Sequence, residues 1–126
     1  MEMKFYQCAH CGNIIAYVKE SGAKVICCGE EISELVPKTA DSATEKHVPV
    51  VKVEGDLVTV TVGSTLHPMA EEHSIQWIGL QTEQGNQRKA LSPGQEPTAV
   101  FAIAPGDKVV AAYEYCNLHG LWKATV

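Results

Sequence analysis

The feature that most restricts how this chain can fold is a cysteine three residues before a histidine, at the end of an apolar run. The run covers residues 109–115, Cys116 and His119 follow it, and Gly120 comes next. This order predicts a buried β-strand that ends in a turn and presents a thiol and an imidazole together. Two such ligands can contribute to a metal site but cannot complete one. The interpretation therefore depends on whether other parts of the chain supply further ligands.

Four of the five histidines lie at the ends of predicted strands. His47 immediately precedes the first long strand of the second segment, and His119 follows the last long strand. His67 and His73 flank residues 68–72, where a proline and two acidic residues predict one short helical turn. Strand ends and loops are where a rigid scaffold presents functional groups, so these four imidazoles are candidate ligands beside the cysteine.

Four imidazoles and one thiolate exceed the four ligands of a closed zinc site. Four nitrogens can lie in one plane with the sulfur on the axis, which leaves a sixth position open. A metal with an open position suits redox chemistry on a small molecule, and iron fits this mixed nitrogen and sulfur set best. The pattern therefore predicts a mononuclear iron centre that a small molecule can reach.

The first 36 residues contain the other four cysteines. Cys8 and Cys11 are separated by two residues and precede Gly12, an order typical of a metal-binding knuckle. Cys27 and Cys28 are adjacent, whereas a zinc ribbon would repeat the first spacing. Because neighbouring residues of an extended chain point to opposite sides, both can bind one metal only if the backbone bends there. Four thiolates can form a tetrahedral site for zinc or iron.

Residues 14–19 and 24–26 predict two short strands in this first segment, around a turn at Ser21 and Gly22. A piece of about 36 residues cannot bury enough apolar surface to be stable alone, so it needs a metal or a partner chain. His10 lies between two of the cysteines, and we expect it to be an exposed bystander.

Small and polar residues at 37–44 predict a boundary between a metal module at residues 1–36 and a second domain at 37–126. Beyond this boundary, β-branched runs and frequent turn residues predict seven short strands, a pattern typical of an antiparallel sandwich in an all-β protein. The predicted strands cover residues 48–54, 57–62, 74–82, 87–91, 98–104, 108–116 and 121–126.

The chain of 126 residues has a net charge of −5. This acidic balance argues against a general nucleic-acid-binding protein, which would have a basic surface. No apolar run approaches the roughly 20 residues of a membrane span, and the first residues lack the apolar segment of a signal peptide. We therefore expect a cytoplasmic protein whose cysteines are metal ligands or catalysts rather than disulfides.

Two charged residues, Glu45 and Lys46, directly precede His47. A run of this kind is usually a solvated loop. Beside a metal ligand, however, the ammonium of Lys46 would concentrate an anionic substrate although the whole protein is acidic. A flexible carboxylate at Glu45 could occupy the open position of the metal.

The chain resembles the desulfoferrodoxin family, the two-iron class of superoxide reductase. The resemblance rests on the four cysteines of the first segment and on residues 45–50, 67–73 and 114–120. It implies a desulforedoxin-like module followed by an immunoglobulin-like β-sandwich, with one iron in each. The first iron would be bound by Cys8, Cys11, Cys27 and Cys28. The second would have His47, His67, His73 and His119 in the equatorial plane and Cys116 on the axis.

The resemblance also implies an activity and partners. The family reduces superoxide to hydrogen peroxide by one electron, is re-reduced by an external donor such as rubredoxin, and is usually a homodimer. Lys46 would attract superoxide, and Glu45 would bind the iron after electron transfer. His119 would bind through Nδ1, and the other three histidines would bind through Nε2.

Two functions of other classes stay open on the residues alone. A blue-copper electron carrier is also a β-sandwich with a cysteine and a histidine on one loop, but it uses two histidines and an axial methionine, for which Met69 is the nearby candidate. A zinc-stabilised binding module without catalysis would use the ligands structurally. Iron, copper or zinc in the purified protein would distinguish the three functions.

Overall fold

The computed structural model describes residues 2–40, 47–64 and 66–126, and all regular structure in these ranges is β. The chain divides into two compact units, Met1–Val36 and Pro37–Val126. None of the described segments forms a helix that is long and apolar enough to cross a membrane. The predicted all-β class is confirmed.

The first unit contains five short strands. They are β1 (Phe5–Gln7), β2 (Ile14–Ile15), β3 (Ile26–Cys27), β4 (Glu30–Glu31) and β5 (Ser33–Leu35). Strand β1 lies between β2 and β5 in an antiparallel sheet, and β3 pairs with β4 in a hairpin. Phe5 at the start of β1 and Cys8 just after it are both buried, so this sheet positions the first of the cysteines.

The prediction of two short strands at residues 14–19 and 24–26, around one turn, is only partly confirmed. Only Ile14–Ile15 of the earlier segment forms a strand, and the later strand begins at Ile26. The two do not pair with each other, because β2 pairs with β1 and β3 pairs with β4. Val18 between them is fully exposed, so a strand through this position would bury no apolar face.

The second unit contains seven strands. They are β6 (Pro49–Glu54), β7 (Leu57–Val62), β8 (Ile75–Thr82), β9 (Asn86–Ala90), β10 (Thr98–Ala102), β11 (Val109–Cys116) and β12 (Gly120–Thr125). One antiparallel sheet has the order β10-β7-β6 and the other has the order β12-β11-β8-β9. The predicted sandwich is confirmed, and each strand end lies within two residues of its predicted position.

Alternating side chains of β7 explain why the two sheets pack. Val58, Val60 and Val62 are fully buried, whereas the threonines between them are partly exposed. The same core cluster contains side chains from β8 and β10, together with Cys116 at the end of β11. Burying one aliphatic side chain contributes about 1.5–3 kcal/mol. The close-packed core therefore holds Cys116 in a rigid position.

Residues 68–72 do not form the predicted helical turn. Ala70 and His73 instead exchange two backbone hydrogen bonds, of 3.0 and 3.2 Å, across a two-residue turn. The sulfur of Met69 accepts a hydrogen bond of 3.3 Å from the N–H of Ile75. These contacts outweigh the local preference of proline and acidic residues for a helix start.

Two side chains of β9 connect the edges of the two sheets. Gln87 Nε2 donates to the carbonyl of Ala102 at 2.8 Å, and Lys89 Nζ donates to the carbonyl of Val100. The Lys89 ammonium also lies 5.3 Å from the centroid of the Phe101 ring. Since β9 and β10 are outer strands of different sheets, these contacts close this side of the sandwich and occupy carbonyls of an edge strand.

Candidate metal centres

Five candidate ligands lie at one end of the sandwich. Cys116 ends β11, His119 lies in the turn before β12, and His73 lies two residues before β8. His47 lies two residues before β6, and His67 follows β7. Antiparallel pairing places the start of one strand beside the end of its neighbour, as the registers of β6 with β7 and of β8 with β11 show. The fold therefore brings the five side chains together.

The ligand atoms of these residues approach one another closely. All five lie within 4.8 Å of one another. His67 Nε2 is 3.0 Å from His47 Nε2, which is 3.1 Å from His119 Nδ1. For metal–nitrogen bonds of about 2.1 Å, neighbouring nitrogens are about 3.0 Å apart at a right angle and about 3.4 Å apart at a tetrahedral angle. The observed distances fit the right-angled arrangement.

The four imidazole rings form a closed cycle. His47 and His73 each neighbour both His67 and His119, with ring centroids 4.6–5.2 Å apart. Neighbouring rings stand at interplanar angles of 63–85°. Rings that meet edge to face around a common centre suit four nitrogen ligands in one plane.

Cys116 supplies the fifth donor from the core. Its Sγ lies 3.9 Å from His119 Nδ1, and its side chain is fully buried. His47 and His67 are also buried, His73 is half-buried, and His119 is exposed. The donor set is therefore anchored in the core, and His119 is its only member that is exposed.

A backbone contact determines which nitrogen of His67 is protonated. His67 Nδ1 lies 2.7 Å from the carbonyl oxygen of Pro68, which can only accept a hydrogen bond. Nδ1 therefore carries the proton, and Nε2 presents its lone pair to His47. His47 Nε2 lies between ring nitrogens of His67 and His119, and a single proton on it can form a good hydrogen bond to only one of them. A bound cation would instead stabilise the lone pairs of all three nitrogens. The residues present thus fit a metal ion.

Two side chains that the sequence did not indicate hold the backbone at His119. The His119 carbonyl accepts a hydrogen bond of 3.1 Å from Trp122 Nε1 and one of 3.0 Å from Lys38 Nζ. Lys38 falls in the segment that the sequence predicts to be a linker, but its backbone pairs with Trp122. The sequence could have indicated a supporting role for Trp122, because this residue lies three positions after a candidate ligand. It contains no comparable indication for Lys38.

The four cysteines of the first unit form another group of converging donors. The sulfur atoms of Cys8, Cys11, Cys27 and Cys28 lie within 4.8 Å of one another. Cys11 Sγ is 3.6 Å from Cys27 Sγ. A tetrahedral site with metal–sulfur bonds of about 2.3 Å has sulfur atoms about 3.8 Å apart. All five cysteines of the chain are free of disulfide bonds, so this group fits a four-thiolate metal site.

Backbone N–H groups favour the thiolate of Cys8. The N–H groups of Cys11 and His10 donate to its sulfur at 3.5 and 3.4 Å, and they lower the pKa of Cys8 to about 6. A thiol hydrogen bond with Cys11 is the main cause that raises the pKa of Cys28 to about 12. One sulfur is therefore ready to bind a cation, whereas Cys28 loses its proton as the metal binds.

A tight turn explains how two adjacent cysteines can bind one metal. Cys27 ends β3, and Cys28 and Gly29 form the two-residue loop to β4. Their φ angles are 51° and 80°, in the left-handed region that a type I′ hairpin turn requires. The backbone therefore bends at the pair, as the sequence predicts, and both thiols reach the same site.

The sequence singled out four further residues. Glu45 and Lys46 fall outside the described residues. His10 is exposed, and its Nε2 lies 3.0 Å from Glu30 Oε1 rather than among the converging donors. The sulfur of Met69 accepts a hydrogen bond from the backbone N–H of Ile75, whereas a blue-copper site would need it as an axial ligand.

The fold and the two donor sets define a class of protein. A β-sandwich brings together four imidazoles and one buried thiolate, and a separate module brings together four thiolates. These donors suit two mononuclear non-haem iron centres.

The chain belongs to the desulfoferrodoxin family. The family model for desulfoferrodoxin matches residues 39–125, and the model for the desulfoferrodoxin N-terminal domain matches residues 1–35. Both iron-binding donor sets of this family, the four-cysteine set and the set of four histidines and one cysteine, are present in the structure.

Individual relatives agree with this assignment. The chain is 47% identical to a desulfoferrodoxin from Nitratidesulfovibrio vulgaris over 98% of this chain and 96% of the relative. It is 40% identical to a superoxide reductase from Pyrococcus horikoshii over 71% of this chain and 92% of the relative. The crystal structure of the superoxide reductase from Treponema pallidum matches with a TM-score of 0.86 and 38% identity, over 98% of both chains.

Proposed function

We propose that this protein is a superoxide reductase that converts superoxide to hydrogen peroxide by adding one electron and two protons. The observation that carries the proposal is the convergence of His47, His67, His73, His119 and Cys116 at one end of the sandwich. Iron bound there supplies the electron to the substrate and regains it from an external donor. The two protons come from solvent.

Each ligand has a distinct task in this proposal. His47, His67 and His73 would hold the metal through Nε2 and His119 through Nδ1; for His47, His67 and His119 these are the nitrogens that face one another in the structure. Cys116 is fully buried, so it would hold the metal from the core, and its thiolate would donate electron density to that metal.

Positive charge near the site offsets the acidic character of the protein. The net charge of −5 repels an anion such as superoxide at long range. Lys46 directly precedes His47 in the chain, so its ammonium can lie close to the site, where it attracts superoxide and orders water for protonation. Lys38 adds a second ammonium beside the His119 carbonyl. Glu45 would supply a carboxylate to the iron after the substrate has been reduced.

The four-cysteine centre and the partners complete the proposal. Cys8, Cys11, Cys27 and Cys28 would hold the first iron, which would either relay electrons or only stabilise the module. A rubredoxin-type protein is the proposed electron donor, and pairing of two copies through their first units would stabilise those small units. Five cysteines without disulfides support a reducing, cytoplasmic location.

The stoichiometry of the reaction tests the proposed function. Reduced protein should form one molecule of hydrogen peroxide for each superoxide consumed, without releasing oxygen. A dismutase would instead form half as much peroxide and release oxygen. Protein that contains both irons but leaves superoxide unchanged would contradict the proposal, and copper or zinc in place of iron would favour the electron carrier or the binding module.

A further inference from the structure

The side chain of Asn117 joins the two loops that carry ligands. Asn117 follows Cys116 and lies two residues before His119. Its Oδ1 accepts a hydrogen bond of 3.0 Å from the N–H of Ser74, and its Nδ2 donates one of 3.0 Å to the carbonyl of Glu72. Its backbone N–H donates to the carbonyl of Ser74 at 3.2 Å. Three hydrogen bonds therefore connect the turn after β11 to the loop before β8.

These hydrogen bonds bracket His73. Glu72 and Ser74 are its two neighbours in the chain, so the amide of Asn117 holds the backbone on both sides of this ligand. A carboxamide suits the task because it offers one acceptor and one donor side by side. Its orientation is unambiguous, since the reverse orientation would place N–H against N–H and oxygen against oxygen.

Asn117 connects the buried end of β11 to the less buried loop that carries His73. Cys116 is fully buried in the core at the end of β11, whereas His73 is half-buried in a loop. Ser74 is only 4% exposed, so its hydrogen bond to Asn117 is shielded from competing water. The hydrogen bonds of Asn117 therefore fix the position of the His73 loop relative to the buried end of β11.

We propose that Asn117 is a positioning residue for the iron centre and that it acts through His73. This proposal depends on the proposed function only because it assumes that iron occupies the five-ligand site. Asn117 keeps the imidazole of His73 at a constant position relative to Cys116 and His119 when the charge of the iron changes. The consequence is slow release of iron and a ligand geometry that differs little between the two oxidation states.

The test compares the release of iron from two variants in the full-length protein. Asn117→Ala removes both side-chain hydrogen bonds, and we expect iron to leave the five-ligand site to a chelator about 10–100-fold faster. Gln87→Ala is the matched control, because it removes another amide-to-backbone hydrogen bond, on β9 opposite Leu80 and away from the ligands. Its release rate should stay within about twofold of the parent. Iron at the four-cysteine site of each variant is an internal control and should be released at the parent rate.

A second measurement locates the effect on one ligand. With cobalt in the five-ligand site, the ring protons of the ligand histidines give separate, metal-shifted NMR signals. Asn117→Ala should move the His73 signals most and the His47 signals least. Asn117→Asp retains the acceptor for Ser74 and loses the donor to Glu72, so it should show the same pattern of shifted signals. This variant replaces Asn117→Ala in the measurement if the alanine variant does not retain metal.

The outcomes separate this proposal from the proposed function. Parent-like iron release together with unmoved His73 signals in both Asn117 variants would overturn it. Equally fast release from Gln87→Ala would also overturn it, because general loss of stability would then be the cause. If the parent protein retains iron more firmly than Asn117→Ala but leaves superoxide unchanged, the role of Asn117 stands and the proposed function fails.

Discussion

Trp122 lies flat against His47, with ring centroids 4.7 Å apart and ring planes 13° apart. The same indole donates its N–H to the carbonyl of His119, and the Lys38 ammonium lies 5.1 Å from its ring centroid. Trp122 therefore contacts one ligand through its face and a second ligand through its edge. These contacts restrain the imidazole of His47 and the backbone of His119, two ligands that are far apart in the chain.

Trp122→Phe should keep the first of these contacts and remove the second. Phenylalanine retains the stacking on His47 but loses the hydrogen bond to His119, so we expect the free energy of unfolding to fall by about 0.5–1.5 kcal/mol. Iron release should also become faster. Denaturant unfolding and chelator kinetics measure the two effects. Trp77→Phe, which changes an indole stacked on Tyr115, is the control and should leave iron release unchanged.

Removing the charge of Lys46 should slow the reaction with superoxide. Electrostatic attraction of an anion accelerates association by about tenfold or more, so Lys46→Met should lower the second-order rate constant by about this factor and flatten its dependence on salt. Pulse radiolysis at several ionic strengths measures both effects. Lys52→Met changes the net charge equally, at a lysine paired with Glu54, and should have little effect. Equal rates for the two variants would remove electrostatic attraction by Lys46 from the mechanism.

Cys116→Ser should abolish the visible absorption band of the oxidised five-ligand centre. That band requires charge transfer from a thiolate to ferric iron, and a serine oxygen does not supply it. Cys8→Ser is the complementary control, because it should alter only the spectrum of the four-cysteine centre. A band that persists in Cys116→Ser would show that Cys116 is not an iron ligand.

Gly29→Ala should weaken metal binding in the first unit. Gly29 has a φ of 80° in the turn that directs Cys28 to the site, and a side chain there costs about 1 kcal/mol in backbone conformation. A Cβ at this position would meet no neighbouring atom, so the cost is conformational. Gly22→Ala has the same open surroundings at a φ of 93° but does not adjoin a cysteine. We expect faster metal release from the four-cysteine site in Gly29→Ala alone.

Asp107 should make the second unit more stable at neutral pH than in acid. A hydrogen bond with the side chain of Thr82, together with backbone N–H groups that include those of Lys108 at 2.8 Å and Gln84 at 3.1 Å, lowers the pKa of this carboxyl below 3.8. A lowered folded-state pKa stabilises the protein above the unfolded-state pKa, and the contribution disappears as the pH falls through the folded-state value.

The comparison of the parent with Asp107→Asn tests this contribution. The variant should be less stable than the parent at pH 7, and the difference should shrink as the pH is lowered towards 3. Urea unfolding of both proteins at each pH measures the difference, and loss of metal in acid affects both alike. A difference that stays constant over this range would mean that the carboxylate charge is not involved.

The strands of the second unit were predictable because their signal is local. In β7, valines alternate with threonines, and this period of two marks one buried face without knowledge of the partner strand. The ligands could be identified by type and by their positions at strand ends. In contrast, residues 68–72 have the local signs of a helix start, but contacts of Met69 with distant residues give a turn instead.

The sequence alone determined the all-β class, the two donor sets and the need for a bend at Cys27 and Cys28. Only the tertiary structure decided which ring nitrogens meet, how exposed each ligand is, and that Asn117, Trp122 and Lys38 support the site. The physical reason is that these properties depend on the register between strands far apart in the chain. His47 and His119 are 72 residues apart in the sequence, yet their ring nitrogens are 3.1 Å apart in the fold.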